Sequence, residues 1–290
     1  MNAVVETRGL CKQYGPALRV NHLDLTVPEG AVYGFLGPNG AGKSTTLKLL
    51  LGLARPTAGE IAVFGRPMGP RTRMETLRQV GSLIESPSYY GHLTGAENLH
   101  IVQTLRGAPE RDIGEVLRIV RLDGQKGKRT AHYSLGMKQR LGLALALMNQ
   151  PEFLLLDEPI NGLDPEGIVE FRNLLLRLNQ ERQTTILISS HILSELANLA
   201  TCYGFLDNGM MLEQISARAL EEKCRACIEA RVDDASRAAL VLEQSLGIRD
   251  YEVLPGHLLR IYSSLDAPHR VAQALVEGGV ALQSIESRGA

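Results

Sequence analysis

The chain has 290 residues, of which 44% are hydrophobic and 22% are charged, which fits one large globular domain or one large and one small domain. Its net charge of −1 gives no general attraction to nucleic acid or anionic lipid, and it has no tryptophan for stacking on single-stranded bases. We therefore expect no nucleic-acid partner.

The cysteines and the N-terminus argue against two further classes of protein. Cys11, Cys202, Cys224 and Cys227 are too few and too scattered for a disulfide scaffold. Cys224-x-x-Cys227 has no other evident zinc ligands nearby, so reduced thiols are favoured over a metal or redox site. The start of the chain lacks signal-peptide features and no apolar run reaches the ~18 residues of a membrane span, so we expect a cytoplasmic chain.

Strands and one helix are predicted for residues 4–65. The stretch LRVNHLDLTVPEG alternates apolar and polar residues as strands do, and it ends in a turn. AVYGFLG is a short apolar strand, followed by a glycine-rich turn and the helix KSTTLKLLLGL. Thr57-Ala58-Gly59 predicts a turn before the short strand EIAVFG.

Residues from about 67 to 150 are predicted to be mostly helical. Thr94 and Glu97 have the spacing of a capping box, in which each side chain bonds the other residue's backbone N–H at a helix start. Glu85 lies in a loop between a strand and this helical segment.

Strands and helices alternate again over residues 151–214. FLLLDEP and TTILISSH are short apolar runs of the kind that form buried parallel strands. Asp164 and Pro165 suit the N-cap and first turn of the helix between them. Asn208-Gly209 predicts a type I′ hairpin. Beyond about residue 216 the order β-α-β-β-α-β suggests a small ferredoxin-like domain.

A phosphate-binding loop is predicted after the strand AVYGFLG, where GPNGAGKST matches the pattern G-x-x-x-x-G-K-[ST]. Its backbone N–H groups and the following helix N-terminus suit phosphate oxygens. We expect Lys43 to reach the β- and γ-phosphates and the Ser44 hydroxyl to bind Mg²⁺. The loop consists of Gly37, Pro38, Asn39, Gly40, Ala41, Gly42, Lys43, Ser44 and Thr45.

Two adjacent carboxylates end the strand FLLLDEP. Asp157 can hold Mg²⁺, and Glu158 can orient or deprotonate the attacking water. His191 ends the next strand, and that position favours a γ-phosphate contact over a purely structural role. Tyr14 either stacks on an adenine or packs within the protein, and both interpretations remain open.

The stretch YSLGMKQR offers a serine hydroxyl, backbone amides around a glycine and a helix N-terminus, which together make an anion-binding surface. The nucleotide pocket described above leaves no role for it. Its natural target is therefore the triphosphate of a second subunit facing head to tail.

This ordered set of motifs resembles the ATP-binding subunits of ABC transporters over residues 4–215. The resemblance implies that Ser134, Gly136 and Asp164 contact ATP held by the opposite subunit. It further assigns Tyr14 to the A-loop, Gly37–Thr45 to Walker A, Ser134–Arg140 to the signature, Leu154–Asp157 to Walker B, Glu158 as the catalytic glutamate, Asn161–Asp164 to the D-loop and His191 as the switch histidine.

Two departures from the family pattern stand out. Tyr133 and Leu135 replace the first and third residues of the usual Leu-Ser-Gly-Gly signature, while Ser134 and Gly136 remain. Glu85 stands where most of these ATPases have a glutamine that reports nucleotide state to the membrane partner and can contact Mg²⁺. With SLIESP and HLTGAENL, it resembles the branch that exports bacitracin-like and lantibiotic peptides.

The resemblance implies an α/β fold: a P-loop NTPase with a β subdomain, a parallel-sheet core and a helical subdomain at about residues 86–150, followed by a small α+β domain. We expect a nucleotide-binding domain at 1–215 and a small C-terminal domain, regulatory in role, at 216–290. The expected function is the ATP- and Mg²⁺-dependent motor of an exporter of peptide antibiotics, which gives immunity or resistance. We expect it to act as a dimer on separate permease subunits at the inner face of the cell membrane. Export of a drug, a lipid or sodium, and a soluble ATPase without a transport role, remain alternatives.

Overall fold

The computed structural model describes residues 2–107, 111–125 and 127–289. Its internal contacts divide the chain into two compact units, Met1–Ala217 and Arg218–Ala290. Each unit contains a buried apolar cluster of its own.

The first unit contains two sheets and a set of helices. Its strands are β1 (Ala3–Tyr14), β2 (Ala17–Pro28), β3 (Val32–Leu36), β4 (Ala58–Val63), β5 (Arg66–Pro67), β6 (Val80–Leu83), β7 (Phe153–Asp157), β8 (Thr185–Ser190), β9 (Cys202–Asp207) and β10 (Met210–Ser216). Its helices are α1 (Lys43–Leu50), α2 (Arg73–Leu77), α3 (Gly95–Arg106), α4 (Arg111–Ile119), α5 (Leu135–Leu147), α6 (Pro165–Arg182) and α7 (Leu193–Leu196), with 3₁₀ turns at Asp123–Gln125 and Thr130–His132.

A six-stranded sheet forms the centre of this unit, in the order β10-β9-β3-β8-β7-β6. Strands β6, β7, β8, β3 and β9 pair in parallel, and β10 runs antiparallel to β9. Every residue of β3, β7 and β8 is buried. The predicted buried parallel strands are therefore confirmed, and their continuous apolar runs follow from burial on both faces.

The register of the central strands brings three strand ends to one edge of the sheet. Leu36 at the end of β3 pairs with Ser190, and Asp157 at the end of β7 pairs with Ser189. The residues that follow these strands therefore lie side by side at the carboxyl edge, where parallel sheets bind ligands.

The second sheet is antiparallel, in the order β2-β1-β4-β5. Here one sequence prediction was wrong in detail: Ala58 and Gly59 do not form a turn, because β4 already begins at Ala58. Gly59 has a φ of +83°, and a Cβ there would lie 2.3 Å from the Gly9 carbonyl oxygen. Gly59 therefore allows the backbones of β1 and β4 to approach closely, beside an irregularity in the β1–β4 pairing.

The predicted helical segment starts later than expected, because residues 67–94 contain only the short helix α2 and also the strand β6, but its first long helix, α3, has the predicted start. Thr94 is the N-cap of α3 and forms the full capping box with Glu97, whose pKa is lowered by hydrogen bonds from the Thr94 backbone and hydroxyl. Asp164 occupies the N-cap position of α6, with Pro165 in the first turn, but its side chain makes no capping hydrogen bond.

The predicted hairpin is also confirmed. Asp207 pairs with Met210, and the two residues between them, Asn208 and Gly209, have φ values of 46° and 80°. Positive φ at both central positions is the type I′ geometry.

The second unit confirms the predicted β-α-β-β-α-β order after a short leading helix. Its four antiparallel strands lie in the order β12-β13-β11-β14, which is the ferredoxin-like arrangement. Its elements are α8 (Ala217–Lys223), β11 (Cys227–Val232), α9 (Ala235–Leu246), β12 (Tyr251–Leu254), β13 (Leu258–Ile261), α10 (Pro268–Glu277) and β14 (Leu282–Arg288).

Two further observations concern the whole described chain. Cys224 is exposed and Cys227 is buried, and both are free thiols, as are Cys11 and Cys202. None of the helices within the described ranges has the length and apolarity needed to cross a bilayer.

Candidate functional site

The glycine-rich loop connects β3 to α1 at the carboxyl edge of the central sheet. Gly42 is the N-cap of α1 and has a φ of +106°, a conformation that side chains rarely adopt. A Cβ at Gly42 would lie 2.4 Å from the Arg19 carbonyl oxygen, so the strand β2 passes too close for any other residue. The loop thus turns sharply into the helix, and the unpaired N–H groups of a helix N-terminus suit an anion.

Lys43 opens α1, and its side chain is 5% exposed. Its Nζ donates hydrogen bonds to the Gly37 carbonyl at 2.6 Å and to the Pro38 carbonyl at 3.2 Å. It also lies 3.2 Å from Glu158 Oε1. The lysine is therefore held within the phosphate loop, where we expect it to help bind phosphate.

Asp157 ends β7 and is 5% exposed, with its carboxylate positioned by the neighbouring strand β8. The Ser189 hydroxyl donates to Asp157 Oδ1 at 2.7 Å and accepts from the Glu158 backbone N–H at 2.9 Å. Ser189 thereby fixes both acidic residues. No local sequence pattern points to Ser189, because its role depends on the register between β7 and β8.

Glu158 has a φ of +45°, an unusual conformation for a residue with a side chain. Its two carboxylate oxygens contact different partners: Oε1 faces Lys43, and Oε2 lies 3.0 Å from His191 Nδ1. The structure therefore joins the phosphate loop, the acidic pair and the histidine through one carboxylate. A strained backbone held by its surroundings is typical of functional positions.

Lys43 and Glu158 line a cavity of about 260 Å³, whereas Asp157 and His191 are not among its lining residues. It is lined by Arg19, Asn39, Gly40, Gly42, Lys43, Ser44, Thr45 and Glu158. Arg19 is the lining residue that the sequence analysis missed, since nothing in its local sequence places β2 beside the phosphate loop.

Two oxygen donors of this region fit Mg²⁺: Ser44 lines the cavity, and Asp157 directly precedes the lining residue Glu158 in the chain. Ser44 offers a hydroxyl and Asp157 a carboxylate, and Mg²⁺ in nucleotide sites takes one or two carboxylates together with phosphate oxygens and water. Across residues 2–107, 111–125 and 127–289 there is no group of three or more acidic, histidine or cysteine side chains able to hold a metal by themselves. The site therefore suits a metal carried with the nucleotide.

The residues of the signature stretch lie elsewhere in the unit. Ser134 is the exposed N-cap of α5, and its hydroxyl accepts from the Met137 backbone N–H at 3.3 Å. A second cavity, of about 470 Å³, lies at this helix start. It is lined by Ser134, Leu135, Gly136, Met137, Arg140, Gly162, Leu163, Asp164, Glu166, Gly167 and Glu170, so none of its residues also lines the phosphate-loop cavity.

The two unusual signature residues have separate packing roles. Tyr133 is 5% exposed, and burial raises the pKa of its phenol, as expected for a core residue beside the start of α3. Leu135 is half exposed, and a Cβ at Gly162 would lie 3.1 Å from its Cδ2. The leucine thus packs against the loop that precedes α6. Arg140 holds α5 to α6 through an ion pair with Glu170.

Tyr14 ends β1, with its side chain about half exposed, outside the phosphate-loop cavity. Lys12 Nζ lies 4.6 Å from the centre of its ring and donates to the Arg55 carbonyl at 2.7 Å. The ring therefore has a cation over one face, which leaves the stacking and packing interpretations both open.

Glu85 follows β6 in a loop and has a φ of 60°. Its carboxylate lies 2.5 Å from Lys48 Nζ, and this hydrogen bond raises the pKa of Lys48. Lys48 stands on α1, one turn after Ser44. The loop is thus tied to the helix that begins the phosphate site.

Comparison with known proteins agrees with these motifs. The family model described as ABC transporter matches residues 20–161. The chain is 44% identical to a bacitracin transport ATP-binding protein of Bacillus licheniformis, over 97% of this chain and 92% of that protein. It is 43% identical to a lantibiotic transport ATP-binding protein of Streptococcus pyogenes, over 72% and 89%.

A solved ATP-binding subunit of an ABC transporter superposes with a TM-score of 0.66 at 31% identity, covering 76% of this chain and 92% of the other. The likeness therefore extends to both sequence and fold. ATP-binding subunits of this family work as dimers with separate membrane permeases. The chain belongs to the ABC transporter family, as an ATP-binding subunit and ATPase.

Proposed function

We propose that this chain is the motor of a peptide-antibiotic exporter and that two copies form two shared ATP sites head to tail. The separation of its two cavities carries the proposal. One cavity contains the phosphate loop and Glu158, and the other contains Ser134, Gly136 and Asp164. A second copy, facing the first, supplies each phosphate loop with the signature residues that its own chain holds elsewhere.

The residue roles follow from the contacts. Lys43 and the loop amides bind the β- and γ-phosphates, and Ser44 and Asp157 hold Mg²⁺, with Glu85 near it in the bound state. When bound, Mg²⁺ offsets the charge of the phosphates. Glu158 accepts a proton from the attacking water. His191 holds the Glu158 carboxylate at 3.0 Å and faces the γ-phosphate. Tyr14 stacks on the adenine.

The cargo is inferred from the relatives. Proteins named for bacitracin transport and lantibiotic transport match this chain at 44% and 43% identity. The bacitracin relative matches over 97% of this chain, so the match includes the ferredoxin-like second unit. Export of such peptides would give the cell immunity or resistance.

The chain is proposed to lie on the cytoplasmic face of the cell membrane, bound to permease subunits that form the path for the peptide. Residues 1–215 are proposed as the nucleotide-binding domain and residues 216–290 as a regulatory one.

Resistance measurements test this function. The chain is expressed with its permease in a peptide-sensitive host, and minimal inhibitory concentrations are measured for bacitracin, a lantibiotic and an unrelated hydrophobic drug. We expect a rise of severalfold for one of the peptides alone, and no rise with Glu158→Gln at equal expression. Resistance confined to the unrelated drug would contradict the peptide cargo while leaving the motor intact.

A further inference from the structure

Arg19 adds a second cation to the cavity of the phosphate loop. Arg19 is one of the residues that line that cavity, as Lys43 is, yet it comes from β2 of the antiparallel sheet rather than from the loop or the helix. None of the motifs described above includes this position.

The backbone at Arg19 is fixed against the phosphate loop. Its carbonyl oxygen would lie 2.4 Å from a Cβ at Gly42, and 2.8 Å from one at Gly209. The Gly209 N–H donates to the Ala41 carbonyl at 2.9 Å, and the Asn21 N–H donates to the Gly209 carbonyl at 2.8 Å. Strand, hairpin and loop are thus locked together, so the side chain starts from a fixed point next to the phosphates' expected position.

Among the residues that the structure describes, the guanidinium of Arg19 has no competing partner. Within the described parts of the chain its side chain makes no ion pair or hydrogen bond, and it is exposed. The one carboxylate that lines the cavity, that of Glu158, already contacts Lys43 and His191. A positive fork beside a phosphate loop is therefore available for an anionic ligand.

The position of Arg19 along the β1–β2 hairpin indicates which part of the nucleotide its side chain can contact. Tyr14 and Ala17 pair at the end of the β1–β2 hairpin, and Arg19 lies two residues further along β2. Two residues of extended strand cover about 7 Å. This distance runs from the level of Tyr14 toward the phosphate loop. Arg19 thus stands between the adenine end of the site and the residues that hold the outer phosphates.

We propose that Arg19 binds the α-phosphate of the nucleotide held by its own phosphate loop; this rests on the ATP site proposed above. Arginine suits the role because its planar fork can make two parallel hydrogen bonds to phosphate oxygens. The α-phosphate is present in ATP and ADP alike and is not a reacting group. The contact therefore contributes to binding in the ground state and the transition state equally.

Equilibrium binding of ADP and of the non-hydrolysable analogue AMPPNP, in excess Mg²⁺, tests this contact on the full-length chain. Arg19→Ala should weaken both ligands about tenfold, which corresponds to about 1.4 kcal/mol. Arg19→Lys, which keeps the charge but loses the fork, should weaken them less. Arg8→Ala is the matched control, since Arg8 is an exposed arginine of the same sheet that does not line the cavity.

Steady-state ATP hydrolysis separates lost binding from lost folding. A lost α-phosphate contact raises KM more than it lowers kcat, whereas a misfolded fraction lowers kcat and leaves KM in place. Unchanged affinity in Arg19→Ala, or a loss for AMPPNP but not for ADP, would overturn the assignment. Lys43→Ala tests the proposed ATP site itself. If that variant binds nucleotide as tightly as the parent, the proposed ATP site is wrong, independently of the result for Arg19.

Discussion

Lys43 and Glu158 form an ion pair across the phosphate-loop cavity, with Nζ and Oε1 3.2 Å apart. The lysine proposed to bind the β- and γ-phosphates thus contacts the carboxylate proposed to activate water. When a triphosphate binds, Lys43 exchanges its ion pair with Glu158 for contacts with phosphate oxygens. Glu158 keeps its contact with His191 Nδ1. Nucleotide binding and preparation of the general base are thereby linked through one ammonium group.

Glu158→Gln should retain ATP binding and lose most turnover. Glutamine has nearly the same shape, but it cannot accept the proton, and loss of a general base typically costs ~10²–10⁴ in rate. It also removes the charge that competes with phosphate for Lys43, so the affinity for ATP should be equal or higher. Nucleotide titration and phosphate release measure the two effects, with Glu60→Gln on the exposed side of β4 as a control. Turnover within a few-fold of the parent would remove Glu158 from this role.

Ser134→Arg should abolish cooperative hydrolysis while leaving the first nucleotide bound nearly as before. Ser134 lines the signature cavity and not the phosphate-loop cavity, so its own loop is untouched. The bulky cation instead blocks the surface offered to the other subunit. Hydrolysis rate against protein concentration, with nucleotide affinity on the same samples, separates these effects. A parallel loss of affinity in the isolated chain would contradict the shared site.

Mixing Ser134→Arg chains with Lys43→Ala chains should partly restore hydrolysis. In the mixed dimer, one composite site carries both lesions and the other carries neither. ATPase activity is measured across mixing ratios, with mixed dimers proven by differential tags. Each variant alone is the control. Absence of rescue in proven mixed dimers would count against the head-to-tail arrangement.

Much of the site could be predicted because its motifs are local. The phosphate loop needs a strand, a turn and a helix in succession, and the chain provides them in consecutive segments: β3, the turn that begins at Gly37, and α1, which begins at Lys43. The acidic pair and His191 each end an apolar strand, and parallel strands bring such ends to one edge. The ferredoxin-like unit followed from its element order in the same way.

Contacts between distant segments could not be predicted. Ser189 positions Asp157 only because β8 lies beside β7 in that register. Arg19 reaches the cavity only because β2 passes within close backbone contact of Gly42. The same limit explains the error at Gly59, whose positive φ serves an approach to Gly9 and not a turn. No local pattern carries this information, since it depends on which strands become neighbours.

Removal of residues 218–290 should leave ATP binding within a few-fold of the full chain. Each proposed ATP-contacting residue lies in the first unit, and each unit has a buried apolar cluster of its own. Solubility, melting temperature and nucleotide affinity of the truncated chain are the measurements. A truncated chain that is folded and soluble but unable to bind ATP would overturn the assignment of the second unit as regulatory.

Glu85 should matter more for coupling to the permease than for hydrolysis. Two opposed effects set its position: its exposed ion pair with Lys48 is worth about 0–1 kcal/mol, whereas its repulsion by a phosphate charge ~4 Å away costs roughly 4 kcal/mol at an effective dielectric near 20. Repulsion is the larger effect, so Glu85 approaches the site only when Mg²⁺ offsets that charge and otherwise stays near Lys48 or the permease. Glu85→Gln should therefore reduce resistance in cells more than it reduces the ATPase rate of the isolated chain, while Lys48→Ala should reduce resistance less. Resistance unchanged by both Glu85→Gln and Glu85→Ala, at equal expression, would show that this position merely tolerates glutamate where glutamine works equally well.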